Sequence, residues 1–145
     1  MNVEILSSVS GAPPPARVRS LVGRLRRTLT QSKIQNPRSK TDLSILFCGD
    51  ARMRALNYRF RWKDRPTDVL SFPAGQGELL GDIVVSVPYA ARQARRRGEQ
   101  TRREIDRLLL HGYLHLLGYD HETDGGEMDA LEVKLKRRLG LAEKS

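Results

Sequence analysis

One cysteine, Cys48, stands in the 145 residues. No disulfide can close within such a chain, and no disulfide-linked partner is expected. No uninterrupted apolar run approaches the ~18–20 residues that cross a bilayer, so no membrane span is expected. The opening stretch MNVEILSSVSGAPPPAR carries Glu4 and lacks a basic run before its short apolar piece. It does not read as a signal peptide. Aromatic residues make up only 6%. Acidic residues are missing altogether from Ile5 to Thr41, where Arg17, Arg19, Arg24, Arg26, Arg27, Lys33, Arg38 and Lys40 occur. The expectation from these absences is a small, soluble, reduced, cytoplasmic protein.

What is present is charge. Lys and Arg number 26 against 17 Asp and Glu, a net charge of +9. A surplus of this size favours polyanionic partners, because neutralised phosphates release their condensed counterions. A second basic region holds Arg92, Arg95, Arg96, Arg97, Arg102, Arg103 and Arg107. The opposite pole runs from Asp120 to Glu132 and contains no Lys or Arg. A hydrophobic share of 39% is enough for a packed core. The length fits one domain over residues 1–145.

Periodicity places the elements. Val3–Leu6 reads as a strand. From Ala16 to about Ser32 the apolar residues recur at helical spacing, with Pro13–Pro15 at the start and Asn36-Pro37 at the end. Asp42–Cys48 reads as a buried strand, followed by a helix that Asp50 caps. Val69–Phe72 and Asp82–Val87 read as strands joined through a hairpin-like loop, Ala74–Leu80. An arginine-rich helix starts at Pro88 and stops at Gly98. Thr101 then caps a helix, with Glu104 completing a capping box, and Gly118 ends it. Asp124 opens a last helix that closes at Gly140. The reading is an α+β domain with four strands and about five helices.

All three histidines fall in one segment, HGYLHLLGYDH, as His111, His115 and His121. His111 and His115 are four apart on a helix, about 40° around its axis, so both imidazoles face one way. Gly118 lets the chain turn and return His121 toward the pair. Three imidazoles without a fourth protein ligand make an open catalytic zinc site, with water in the last position. Nickel or copper would also accept these ligands. Asp120, Glu122 and Asp124 are candidates to orient a ligand histidine. They serve equally well as carboxylates at the start of the last helix. Asp68 and Asp82 stand as catalytic candidates or as turn residues. The same histidine spacing occurs in metzincin peptidases, whose general base is a Glu directly after the first histidine. Here that position is Gly112, which cannot relay a proton.

HGYLHLLGYDH, PTDVLSFP (Pro66–Pro73) and LGDIVVS (Leu80–Ser86) resemble the YbeY family of bacterial metal-dependent endoribonucleases. The resemblance runs from Asp42 to Gly140. It implies an α+β fold with a small mixed sheet and the histidine helix at its centre. It implies single-strand-specific cleavage in small-subunit ribosomal RNA maturation and in ribosome quality control. It places the zinc ligands on His111, His115 and His121 and the active-site arginine on Arg61. The family usually has glycine after that arginine, where this chain has Trp62. Arg59 is the alternative arginine.

Around Arg61, the residues Arg59, Phe60, Trp62, Lys63 and Arg65 interleave cations with rings, a pattern for stacking unpaired bases and holding their phosphates. Packing of the rings into the core would give the same pattern. Arg92, Arg95 and Arg96 are candidates to track the RNA backbone, as is any solvated helix face. The leading expectation is an endoribonuclease using one Zn2+ per chain on ribosomal RNA or the ribosomal subunit. A metzincin-like metallopeptidase and a non-catalytic ribosome-assembly factor with a structural metal are the alternatives.

Overall fold

The computed structural model describes residues 2–31, 42–75, 77–120 and 122–142. His121 and the expected helix end at Asn36-Pro37 lie outside the described residues. In chain order the elements are β1 (Val3–Ser7), α1 (Pro15–Gln31), β2 (Asp42–Cys48), α2 (Asp50–Arg61), β3 (Val69–Pro73), β4 (Leu79–Ser86), α3 (Val87–Arg96), α4 (Thr101–Leu116) and α5 (Glu127–Arg138).

The strands form one mixed sheet in the order β1-β2-β4-β3. β1, β2 and β4 run parallel, and β3 returns antiparallel to β4. Alternation of side chains sorts the residues to two faces. Leu43, Ile45 and Phe47 of β2 and Ile83 and Val85 of β4 enter the main core with α1, α4 and α5. Cys48, Leu70 and Val84 point the other way and pack with Met53 of α2. The sheet is therefore covered unequally, by α2 on one face and by the other helices on the opposite one.

α4 is the central helix, as the family resemblance implies. It packs against β3, β4, α3 and α5, and every residue from Glu104 to Leu110 is buried. A buried ion-pair group fixes its start. Arg107 is 3% exposed at its side chain and binds Glu99 at 2.9 Å, and its Nε donates to the Leu141 carbonyl at 2.9 Å.

Helix starts differ from the expected caps. α2 is preceded by Gly49, because the Asp50 carboxylate instead accepts from Ser86 Oγ at 2.9 Å and pairs with Arg92 at 2.8 Å. α4 begins at Thr101 behind Gln100 without a side-chain cap. Glu104 does not close a capping box, because it accepts from Arg97 at 3.0 Å. α5 begins at Glu127, yet Asp124 still caps it from outside by accepting from Met128 N–H at 3.0 Å. β4 starts earlier than expected, at Leu79, and runs through Gly81. A Cβ at Gly81 would lie 2.5 Å from the Phe72 carbonyl and 2.6 Å from Leu116 Cδ2. The glycine that breaks the sequence pattern is what allows β3, β4 and α4 to close together.

Candidate active site

His111 and His115 emerge where the buried face of α4 meets the surface. Their Nε2 atoms stand 3.1 Å apart. His111 Nδ1 lies 2.5 Å from Glu132 Oε1, on the buried side of α5. An ionised carboxylate only accepts, so Nδ1 carries the hydrogen and the Nε2 lone pair is left facing the cleft. Burial pushes the Glu132 pKa up, but the hydrogen bond from His111 and the nearby charge of Lys136 outweigh this and hold it below its ordinary value. Glu132 therefore remains ionised and fixes the tautomer of His111.

The geometry fits a metal. Two tetrahedral zinc ligands at ~2.0–2.1 Å place their nitrogens ~3.3 Å apart, close to the spacing of the two Nε2 atoms. A carboxylate behind a ligand imidazole is the usual companion of such a site. Among the described residues no group of three metal-ligating side chains occurs, and His121 lies outside them.

The histidines lie in an open cleft of about 710 Å³ lined also by Arg61, Phe60, all of β3, Asp68, Gly118, Tyr119, Asp120 and Glu122. Arg61 comes to it from the end of α2. The loop after Arg61 is tied down: Asn57 Nδ2 donates to the Arg65 carbonyl at 2.9 Å, and Arg54 pairs with Asp64 at 2.7 Å. The next residue, Trp62, holds φ 60°, ψ 26°. A non-glycine residue pays about 1–2 kcal/mol in this left-handed region. The conformation explains why glycine suits the position after the arginine.

Gly112 faces the sheet. Ser71 Oγ donates to its carbonyl at 3.2 Å, and a Cβ there would lie 3.0 Å from both Ile83 Cγ2 and Ser71 Oγ. The position that carries the general base in metzincins is thus turned onto the sheet.

The other expected residues separate. Arg59 and Lys63 are exposed beside Arg61, with the Arg59 guanidinium 5.3 Å from the Phe60 ring centre. Phe60 is not core: it is exposed and meets Phe72 at 5.1 Å. Trp62 is 81% exposed. Arg92, Arg95 and Arg96 are exposed on α3 but do not line the cleft, and Arg92 is committed to Asp50. Asp68 lines the cleft, with its carboxylate accepting from Val69 N–H at 2.7 Å and Gln93 at 3.3 Å. Asp120 accepts from the Glu122 N–H at 3.0 Å.

Sequence reasoning missed Glu132. Its signal was a charged residue on the apolar stripe of the last helix, flanked by Met128, Leu131 and Leu135, all buried. An acid in that stripe needs a buried partner.

Comparison with known proteins agrees with this architecture. A family model described as Endoribonuclease YbeY matches residues 15–140. An endoribonuclease YbeY from an Anaeromyxobacter species is 47% identical over 131 residues, covering 86% of this chain and 68% of the relative. Another from Anaeromyxobacter dehalogenans is 51% identical over 110 residues, 72% of this chain and 57% of the relative. A solution structure from Thermotoga maritima superposes with a TM-score of 0.60 at 27% identity, covering 94% of this chain and 88% of the other.

Proposed function

This chain belongs to the YbeY endoribonuclease family, and we propose that it hydrolyses phosphodiester bonds in single-stranded ribosomal RNA. The work proposed is small-subunit RNA maturation and ribosome quality control in the cytoplasm, on ribosomal RNA or the ribosomal subunit. One Zn2+ per chain is assigned to His111, His115 and His121. The observation that carries the reading is the 3.1 Å approach of two imidazole Nε2 atoms in a cleft also lined by Arg61. Asp120 and Glu122, on either side of His121 in sequence, line the same cleft.

Zinc bound there supplies a water with a pKa near ~7 and a Lewis acid for a phosphoryl oxygen. The chain's own residues do the rest. Glu132 keeps the His111 proton on Nδ1 and its lone pair toward the cleft. Arg61, always charged and forked, meets the charge that develops on the phosphoryl oxygens. Arg59 and Lys63 hold flanking phosphates, and Arg95 and Arg96 extend the contact along the strand. Asp50 already neutralises Arg92, which makes it the weakest of the backbone contacts. Gly112 offers no base of the metzincin kind and no space for one.

The test uses wild type and His115→Ala purified side by side, with metal content, RNA cleavage and casein digestion measured on each. Wild type is expected to hold about one zinc, to cut unpaired RNA and to leave casein intact; the variant loses metal and cleavage together. Casein digestion by the wild type would favour a peptidase. Undiminished ribosome maturation in cells carrying only His115→Ala or Arg61→Ala would favour a non-catalytic assembly factor.

A further inference from the structure

We propose that Tyr58 and Trp62 form a stacking subsite for one unpaired RNA base beside the cleft, a specificity element of this chain. The proposal rests on the endoribonuclease reading above. The two residues stand one turn apart at the end of α2. Tyr58 is 51% and Trp62 81% exposed, and their rings meet edge to face, 6.1 Å apart at 74°. Trp62 keeps its left-handed backbone without burying its ring, so packing does not account for a large side chain there. Arg61, between the two in sequence, lines the cleft together with Phe60.

The surrounding charge selects the occupant. Arg59, Arg61, Lys63 and Arg65 are exposed, and among the described residues none of them forms an ion pair. The acid within this stretch, Asp64, is held by Arg54. Two flat rings among four cations that no carboxylate neutralises among the described residues suit a strand that offers base faces and phosphates together. A base inside a duplex has both faces covered and cannot stack here. The loop is already fixed by Asn57, so binding does not have to order it.

The chain contains one tryptophan, so its emission reports on Trp62 alone. The experiment titrates wild-type protein with a short unpaired RNA, an abasic strand of equal length and charge, and a blunt RNA duplex. Binding is followed by anisotropy of the labelled RNA, and cleavage is recorded in the same samples. The unpaired RNA is expected to quench emission saturably, and the abasic strand and duplex to leave it unchanged. Trp62→Gly and Tyr58→Ala are each expected to weaken binding of the unpaired strand about five- to tenfold, with Trp62→Phe recovering most of the loss. Unchanged emission while the strand is bound and cut overturns the subsite and leaves the nuclease reading standing. Equal quenching by the abasic strand overturns it as well. A strand neither bound nor cut overturns both.

Discussion

His111 Nδ1 donates to Glu132 Oε1 across 2.5 Å, joining the central helix to the buried side of the last one. The bond links the core to the candidate metal ligands. It sets which imidazole nitrogen faces the cleft, and α5 positions it through Met128, Leu131 and Leu135. Glu132→Gln keeps the size of the side chain but removes its charge. With zinc on the histidines, its affinity is expected to fall ~10–100-fold, as read by competition with a chromophoric chelator. An affinity equal to wild type would mean that Glu132 only anchors α5.

Gly112 is the second test of how α4 sits. A Cβ added there would stand 3.0 Å from Ile83 Cγ2 and Ser71 Oγ, so those side chains would have to give by a few tenths of an ångström. Gly112→Ala is expected to cost about 1–3 kcal/mol by overpacking, lowering the melting temperature by roughly 3–10 °C. Gly112→Glu should fall further and should not digest casein. A Gly112→Glu protein that melts as wild type would show that the helix can shift away from the sheet.

The legible parts of this molecule were those written in local pattern. Period-two and helical spacing located the strands and helices, and the histidine spacing located the face of α4 that opens to the cleft. Caps were legible only where no distant partner competed. Asp50 and Glu104 are good capping residues by type, but Arg92 and Arg97 take their carboxylates. Glu132 is not legible from local pattern because its partner lies twenty-one positions away, and spacing rules reach only along one element. The left-handed backbone of Trp62 was equally hidden, since tryptophan is among the residues least expected there.

At Trp62 a left-handed backbone is set against the proposed base contact. Trp62→Gly relieves a backbone cost of about 1 kcal/mol or more and gives up an exposed edge contact with Tyr58 worth about 0.5 kcal/mol. The melting temperature is expected to rise by about 1–4 °C, while RNA affinity falls as argued above. A lower melting temperature would show that the ring contact outweighs the strain.

Asp50 ties the start of α2 to Ser86 and to Arg92 of α3. The hydrogen bond from Arg92 is the largest influence on its carboxyl; burial opposes it, and Ser86 and the charge of Arg92 add to it, so its pKa is lowered. The folded state therefore binds fewer protons than the unfolded chain between the two pKa values. The stabilisation is complete above the unfolded value, ~3.9, and is lost as pH falls through the folded one. Asp50→Asn is expected to melt below wild type at pH 7, with the gap narrowing below about pH 4. A gap independent of pH would assign the effect to packing.

At Arg61 the proposed catalytic role can be separated from folding. It ends α2 exposed, and among the described residues it has no ion pair, so its removal leaves no buried group unsatisfied. Arg61→Ala is expected to melt within ~0.5 kcal/mol of wild type and to lose ~10²–10³-fold in RNA cleavage. Arg61→Lys retains the charge but not the planar fork, and a phosphoryl group with charge spread over several oxygens is met less well by a point charge. Cleavage by Arg61→Lys should therefore lie between the other two, with metal content unchanged in all three proteins. Equal rates for Arg61→Ala and wild type would move the role to Arg59, the other arginine beside the cleft.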